Sequence, residues 1–83
     1  MGDVAITFRM MPMSRDTNLA EVKNDIHKAV NPRQIVEKPI AFGLKALEVL
    51  IVVPDSVGPG DIEEKLRRIR NIASVETESV TLI

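Results

Sequence analysis

Leu44-Lys45-Ala46-Leu47-Glu48-Val49-Leu50-Ile51-Val52-Val53 is the stretch on which the fold turns. Leu47, Val49, Ile51 and Val53 fall on one face of an extended chain, and Leu44, Ala46, Leu50 and Val52 make the other face nearly as apolar. A strand apolar on both sides belongs in the middle of a sheet or near covered edges. Pro54 closes it. Upstream, Asp3 to Met11 alternates with period two: Val4, Ile6, Phe8 and Met10 on one face, Ala5, Thr7, Arg9 and Met11 on the other. That is a strand with one buried face, ended by Pro12.

Between these strands, Ser14 to Thr17 reads as a polar loop and residues 18 to 30 as a helix, with Leu19, Val22, Ile26 and Val30 on one stripe. Asn18 with Glu21 is placed to satisfy the free amides of its first turn, and Asn31-Pro32 stops it. Arg33 to Lys38 is mixed and charged, as an edge strand is. Beyond Pro54, Val57 to Gly60 reads as a loop and Asp61 to Asn71 as a second helix. Asp61 is expected to cap it, with Glu64 three residues on, and Ile62, Leu66 and Ile69 form its buried stripe. Ser74 to Leu82 is the last strand; Val75 and Val80 sit on opposite parities, which predicts a bulge or a twist there. The order strand, helix, strand, strand, helix, strand predicts an α+β fold, the ferredoxin-like βαββαβ sandwich. Its sheet has four antiparallel strands, the first and third central, with both helices on one face.

Eighty-three residues is room for one domain spanning 1–83. A chain this short buries only about 60% of its unfolded surface, so its core must be efficient. No cysteine is present, which removes disulfides, thiolate metal sites and thiol nucleophiles and suits a reducing, cytoplasmic setting. Eleven Lys and Arg against twelve Asp and Glu lack the basic excess of a phosphate-backbone binder. The apolar run Val49 to Val53 is far short of the ~20 residues that cross a bilayer, and the N-terminus reads as neither secretion signal nor myristoylation site, so the expectation is a soluble protein.

Candidate chemistry is sparse. His27 stands on the first helix without a nucleophile or a second histidine near it, as a solvated residue does. Glu63-Glu64 and Glu76 with Glu78 read as solvated charges: adjacent helical residues diverge, and the second pair lies on a surface strand. Gly58-Pro59-Gly60 lacks the glycines and Lys-Ser/Thr of a phosphate loop. Lys65, Arg67, Arg68 and Arg70 gather where a helix dipole favours cations. RNA-binding relatives of this fold stack bases on sheet aromatics, whereas this chain has only Phe8, which belongs to the core face, and Phe42. The expectation is therefore a protein that is not an enzyme, takes no cofactor or metal and binds no nucleic acid directly.

Pro39-Ile40-Ala41-Phe42-Gly43-Leu44 is the informative segment, lying where a hairpin turn joins the edge strand to the central one. Pro39 stiffens its entry and Gly43 supplies a backbone angle that other residues avoid. Two readings of Phe42 stand side by side: a ring folded back over the core, or an anchor offered to a partner's pocket.

With Pro39 to Leu47 in view, the chain closely resembles the archaeal elongation factor 1-beta family. The likeness runs through the opening Met1-Gly2-Asp3-Val4, Met11-Pro12, the helix from Asn18 and the last strand. The resemblance implies a guanine-nucleotide exchange factor for elongation factor 1-alpha, the GTPase that carries aminoacyl-tRNA, acting in translation as a cytoplasmic monomer. It implies that Phe42 inserts into the GTPase's nucleotide domain, with Ile40, Ala41 and Gly43 shaping the inserted loop. One departure is visible: the eukaryotic relatives end in a Lys-Leu pair whose lysine reaches the GTPase's magnesium site, and here the sequence reads Val80-Thr81-Leu82-Ile83. Two other classes share the topology. A small-molecule-binding regulatory domain needs a ligand cleft and dimerisation. An acylphosphatase needs an arginine in a glycine-bearing loop after the first strand, and Met11 to Arg15 lacks those glycines.

Overall fold

The computed structural model describes residues 2–83. Its elements are β1 (Asp3–Pro12), α1 (Leu19–Ala29), β2 (Gln34–Pro39), β3 (Lys45–Pro54), α2 (Pro59–Arg67) and β4 (Ile72–Leu82), with a short 3-10 turn at Ala41–Gly43. The four strands form one antiparallel sheet in the order β2-β3-β1-β4. The two strands most apolar in sequence are thus the central pair, and the ferredoxin-like arrangement expected from the sequence is the one observed.

The register explains which face is buried. Val4 pairs with Val53, Ile6 with Ile51, Phe8 with Val49 and Met10 with Leu47, and these side chains share one side of the sheet. Val22 and Ile26 of α1 and Ile62, Leu66 and Ile69 near α2 join the same cluster, so both helices cover that side. The opposite side carries Ala5, Thr7, Arg9 and Met11 beside Ala46, Glu48, Leu50 and Val52. Most of these are half-buried by their neighbours in the sheet.

Of the bulge or twist expected in the last strand, the structure has a bulge. Thr7 faces Ser79 and Phe8 faces Thr77, leaving Glu78 as an extra residue; a second irregularity falls between Met11 and Pro12. The insertion reverses the strand's phase, so Val75 opposite Met10 and Val80 opposite Ile6 project to the same face despite their opposite parity. Val75 is sealed under α2, whereas Val80 is 51% exposed.

The second helix departs from the sequence expectation at both ends. It starts at Pro59 with Gly58 as its N-cap, and no side chain caps it; Asp61 sits inside the first turn instead of capping it. Proline at the first helical position is already set at a helical φ and loses no needed amide, so the helix begins three residues earlier than a cap at Asp61 would start it. It ends at Arg67 rather than Asn71. The Ile69 amide closes a tight turn on the Leu66 carbonyl, and Asn71 turns left-handed at φ 66°. On α1, Asn18 caps alone, its side-chain oxygen accepting from the Ala20 and Glu21 amides.

Glu63 is a further correction. Its side chain is only 18% exposed; it accepts a hydrogen bond from the Thr77 hydroxyl at 2.6 Å and pairs with Arg67. It fastens α2 to β4 instead of standing free in water.

Candidate functional site

Pro39 ends β2 and Lys45 begins β3, so five residues must reverse the chain. The Ile40 amide donates to the Leu44 carbonyl at 2.8 Å, and the Leu44 amide donates to the Ala41 carbonyl at 3.3 Å. Between those two bonds both central residues turn left-handed. Gly43 does so at φ 75°, as its lack of a Cβ permits. Phe42 does so at φ 63° and ψ 28°. For a side chain bearing a Cβ this conformation costs roughly 1–2 kcal/mol, and an aromatic has no short polar group to offset it. Conformations of this kind persist where the surroundings impose them, and they cluster at functional sites.

The ring that this turn carries is 89% exposed, more than any other large hydrophobic side chain among the described residues. Of the two readings open in the sequence, the one that folds Phe42 over the core is excluded. Ile40 and Leu44 are half-buried at the base of the turn, and Ala41 and Gly43 are exposed beside the ring. All four residues singled out from the sequence, Ile40, Ala41, Phe42 and Gly43, therefore lie on one projecting loop. An apolar ring held in water by a strained backbone has hydrophobic free energy to gain on docking. Fully burying a phenylalanine contributes ~1.5–3 kcal/mol.

Gly43 also borders a cleft of about 280 Å³, whose other walls come from Pro12, Ser14, Arg15, Thr17, Leu19 and Lys45. Antiparallel pairing puts the end of β1, the start of α1 and the start of β3 together at this end of the sheet. Sequence reasoning missed this cleft. In the sequence Arg15 belongs to a polar loop that lacks the glycines of an acylphosphatase site, and its neighbourhood with Lys45 exists only once the strands pair.

The remaining candidates do not converge. His27, Glu76 and Glu78 are exposed, as are Lys65, Arg67, Arg68 and Arg70. Among the described residues no group of three or more His, Cys, Asp or Glu is arranged to hold a metal, and no helix is long and apolar enough to cross a membrane. Glu37 on β2 has its carboxyl held below the ordinary range, chiefly by the hydrogen bond from Lys23 and then by that residue's charge, with Lys45 adding a smaller pull. This pair joins α1 to the edge strand.

A family model described as the EF-1 guanine nucleotide exchange domain matches residues 5–83. The elongation factor 1-beta of Methanosarcina acetivorans is 45% identical over 83 residues, covering 92% of each chain. Those of Methanoculleus marisnigri and Archaeoglobus fulgidus are each 40% identical, over 84 and 88 residues, covering 100% of each chain. Among solved structures, the solution structure of the ACT domain from GTP pyrophosphokinase of Chlorobium tepidum superposes with a TM-score of 0.72. It is 22% identical, with 93% of this chain and 88% of that one covered. A crystal structure of the same ACT domain gives 0.65 at 23% identity. The structural likeness is one of fold alone.

Proposed function

Because the chain belongs to the EF-1 guanine nucleotide exchange domain family of translation elongation factors, we propose that it promotes release of GDP from elongation factor 1-alpha by docking the Phe42 loop. Ile40, Ala41 and Gly43 shape that loop and Phe42 is its anchor. The factor works as a cytoplasmic monomer of one domain, catalyses no covalent chemistry and carries no cofactor. The observation that supports this reading most directly is the exposure of the Phe42 ring on a left-handed turn, 89% in solvent at the position where the family resemblance puts the inserted residue.

The physical basis of exchange is linkage. A factor that binds the nucleotide-free GTPase more tightly than its GDP form weakens GDP by the same ratio. Each tenfold of weakening needs about 1.4 kcal/mol of differential contact. A ring worth ~1.5–3 kcal/mol when buried supplies one to two such factors, provided that its pocket opens only when the nucleotide site is distorted. The rest comes from contacts around the loop.

The test uses archaeal elongation factor 1-alpha loaded with mant-GDP. The parent chain is expected to accelerate nucleotide release, and Phe42→Ala to reduce that acceleration at least about tenfold without lowering the unfolding midpoint. Acceleration by Phe42→Ala at the parent rate would remove the loop from the mechanism. No acceleration by the parent would remove the function itself.

A further inference from the structure

We propose that the cleft beside the Phe42 turn, with Arg15 and Lys45 in its walls, receives a carboxylate side chain of the docking GTPase; this rests on the exchange function proposed above. The exposed ring is then one half of a two-part contact, an apolar anchor beside a cationic seat.

Arg15 is built into the turn. Its Cδ lies 3.7 Å from where a Cβ on Gly43 would stand, so its aliphatic stem packs against the residue that follows Phe42. The guanidinium end stays accessible on an exposed residue, as does the ammonium of Lys45. Among the described residues the ion pairs are Lys23–Glu37, Lys38–Glu48 and Arg67–Glu63, and neither Arg15 nor Lys45 takes part in one. The acids nearby do not neutralise them. Asp16 is exposed on the same loop, and Glu37, which feels the field of Lys45, is bonded to Lys23. Two cations without partners on one rim favour an anion from outside.

The loop's own hydrogen bonds narrow the choice of anion. Phosphate sites gather converging backbone amides. Here the Met13 amide donates to the Asn71 carbonyl, Ser14 to the Thr17 hydroxyl, Asp16 to the Ser14 hydroxyl and Thr17 to the Ser14 carbonyl. At the start of α1 the Ala20 and Glu21 amides are taken by Asn18. With those six amides committed, the charged donors of the cleft are side chains, the planar fork of Arg15 and the ammonium of Lys45, beside the hydroxyls of Ser14 and Thr17. A planar carboxylate matches the arginine fork in geometry and the pair in charge.

Arg15→Glu, Lys45→Glu and the double variant test the seat. Both residues are exposed, so the unfolding midpoint is expected to stay at the parent value. The second-order rate of catalysed mant-GDP release is expected to fall about tenfold or more for each reversal at low salt, with the gap narrowing as salt rises. The rate at saturating factor is expected to change little, which separates a seat from the anchor; Phe42→Ala should depress that saturated rate. If the double variant keeps the parent second-order rate and salt dependence while Phe42→Ala is slow, the cleft proposal falls alone. If the parent chain does not accelerate release, both proposals fall. Titration with inorganic phosphate, followed through the amide resonances of residues 14 to 17 and 45, is expected to give no saturable shift. A saturable shift would make the cleft a phosphate site and overturn the assignment.

Discussion

Phe42 is costly where it stands and is kept there. Its left-handed backbone costs ~1–2 kcal/mol for a residue with a Cβ, and at 89% exposure the ring returns almost no burial to offset that. Glycine relieves the strain while giving back ~0.5–1 kcal/mol through the freedom of its unfolded chain. Phe42→Gly is therefore expected to match the parent's unfolding free energy in urea or exceed it by up to about 1.5 kcal/mol, while exchange collapses. A loss of more than 1 kcal/mol would mean that the ring packs on the domain after all. Gly43→Ala has the opposite sign. A Cβ there meets Arg15 Cδ at an ordinary 3.7 Å, so space is available, and the penalty is the φ of 75°. About 1 kcal/mol of stability should be lost, and exchange should slow because relaxation of that angle moves the ring. The sequence makes Gly43 legible, since glycine announces its angle. It does not announce that Phe42 shares it, because an aromatic normally avoids that region and only the closed pair of hydrogen bonds around residues 40 to 44 imposes it.

At the scale of elements, periodicity carried most of the reading and caps carried least. β1 is legible because its large apolar residues keep a period of two, β3 because it is apolar on both faces up to Pro54, and the irregularity in β4 because Val75 and Val80 break the period. The start of α2 was misread because Asp61 and Glu64 imitate a cap while Pro59 quietly supplies a better starting point. Glu63 was misread for a different reason: its partner Thr77 lies fourteen residues away on another element, and no local spacing reveals it. Since Glu63 is the polar tie between α2 and β4, Glu63→Ala is expected to cost about 1–2 kcal/mol, as the loss of hydrogen bonds to a charged group does. Combined with Thr77→Val, the two losses should fall short of additivity by about 0.5–1 kcal/mol in urea titrations. Full additivity would mean that the bond contributes nothing. The Lys23–Glu37 pair ties α1 to β2 in a pH-dependent way. Glu37 has a depressed carboxyl in the folded state, so its contribution is present above the ordinary glutamate value and is lost as pH falls through the lower folded one. Lys23→Met should shift the Glu37 titration, read by carboxyl NMR, back up toward the ordinary range; an unmoved midpoint would assign the depression to something other than Lys23.

Taken whole, the molecule places its two phenylalanines in opposite environments, one in the core and one in solvent. Phe8 is fully buried between Val49 of β3 and Thr77 of β4, beneath the layer formed by α1 and α2. Phe42 projects from the end of the same sheet, where β2 turns into β3. A chain of 83 residues has ~4–12 kcal/mol of total stability at the usual 0.05–0.15 kcal/mol per residue. Emptying the Phe8 site to alanine costs ~3–5 kcal/mol, a large share of that total, whereas a leucine there keeps most of the volume for under about 1.5 kcal/mol. A four-way comparison follows from this placement. Phe8→Ala should lose the cooperative fold and exchange together, and Phe8→Leu should be measurably less stable yet exchange GDP at the parent rate at a temperature where it remains folded. Phe42→Leu and Phe42→Ala should both stay as stable as the parent while, under the proposed exchange function, exchange falls further for alanine than for leucine, because the smaller side chain offers less apolar surface to bury. Unfolding midpoints and mant-GDP release measured on the same four preparations decide it. If the Phe8→Leu protein were folded but slow, the scaffold would be transmitting core packing into the loop, and the two roles would not be separable.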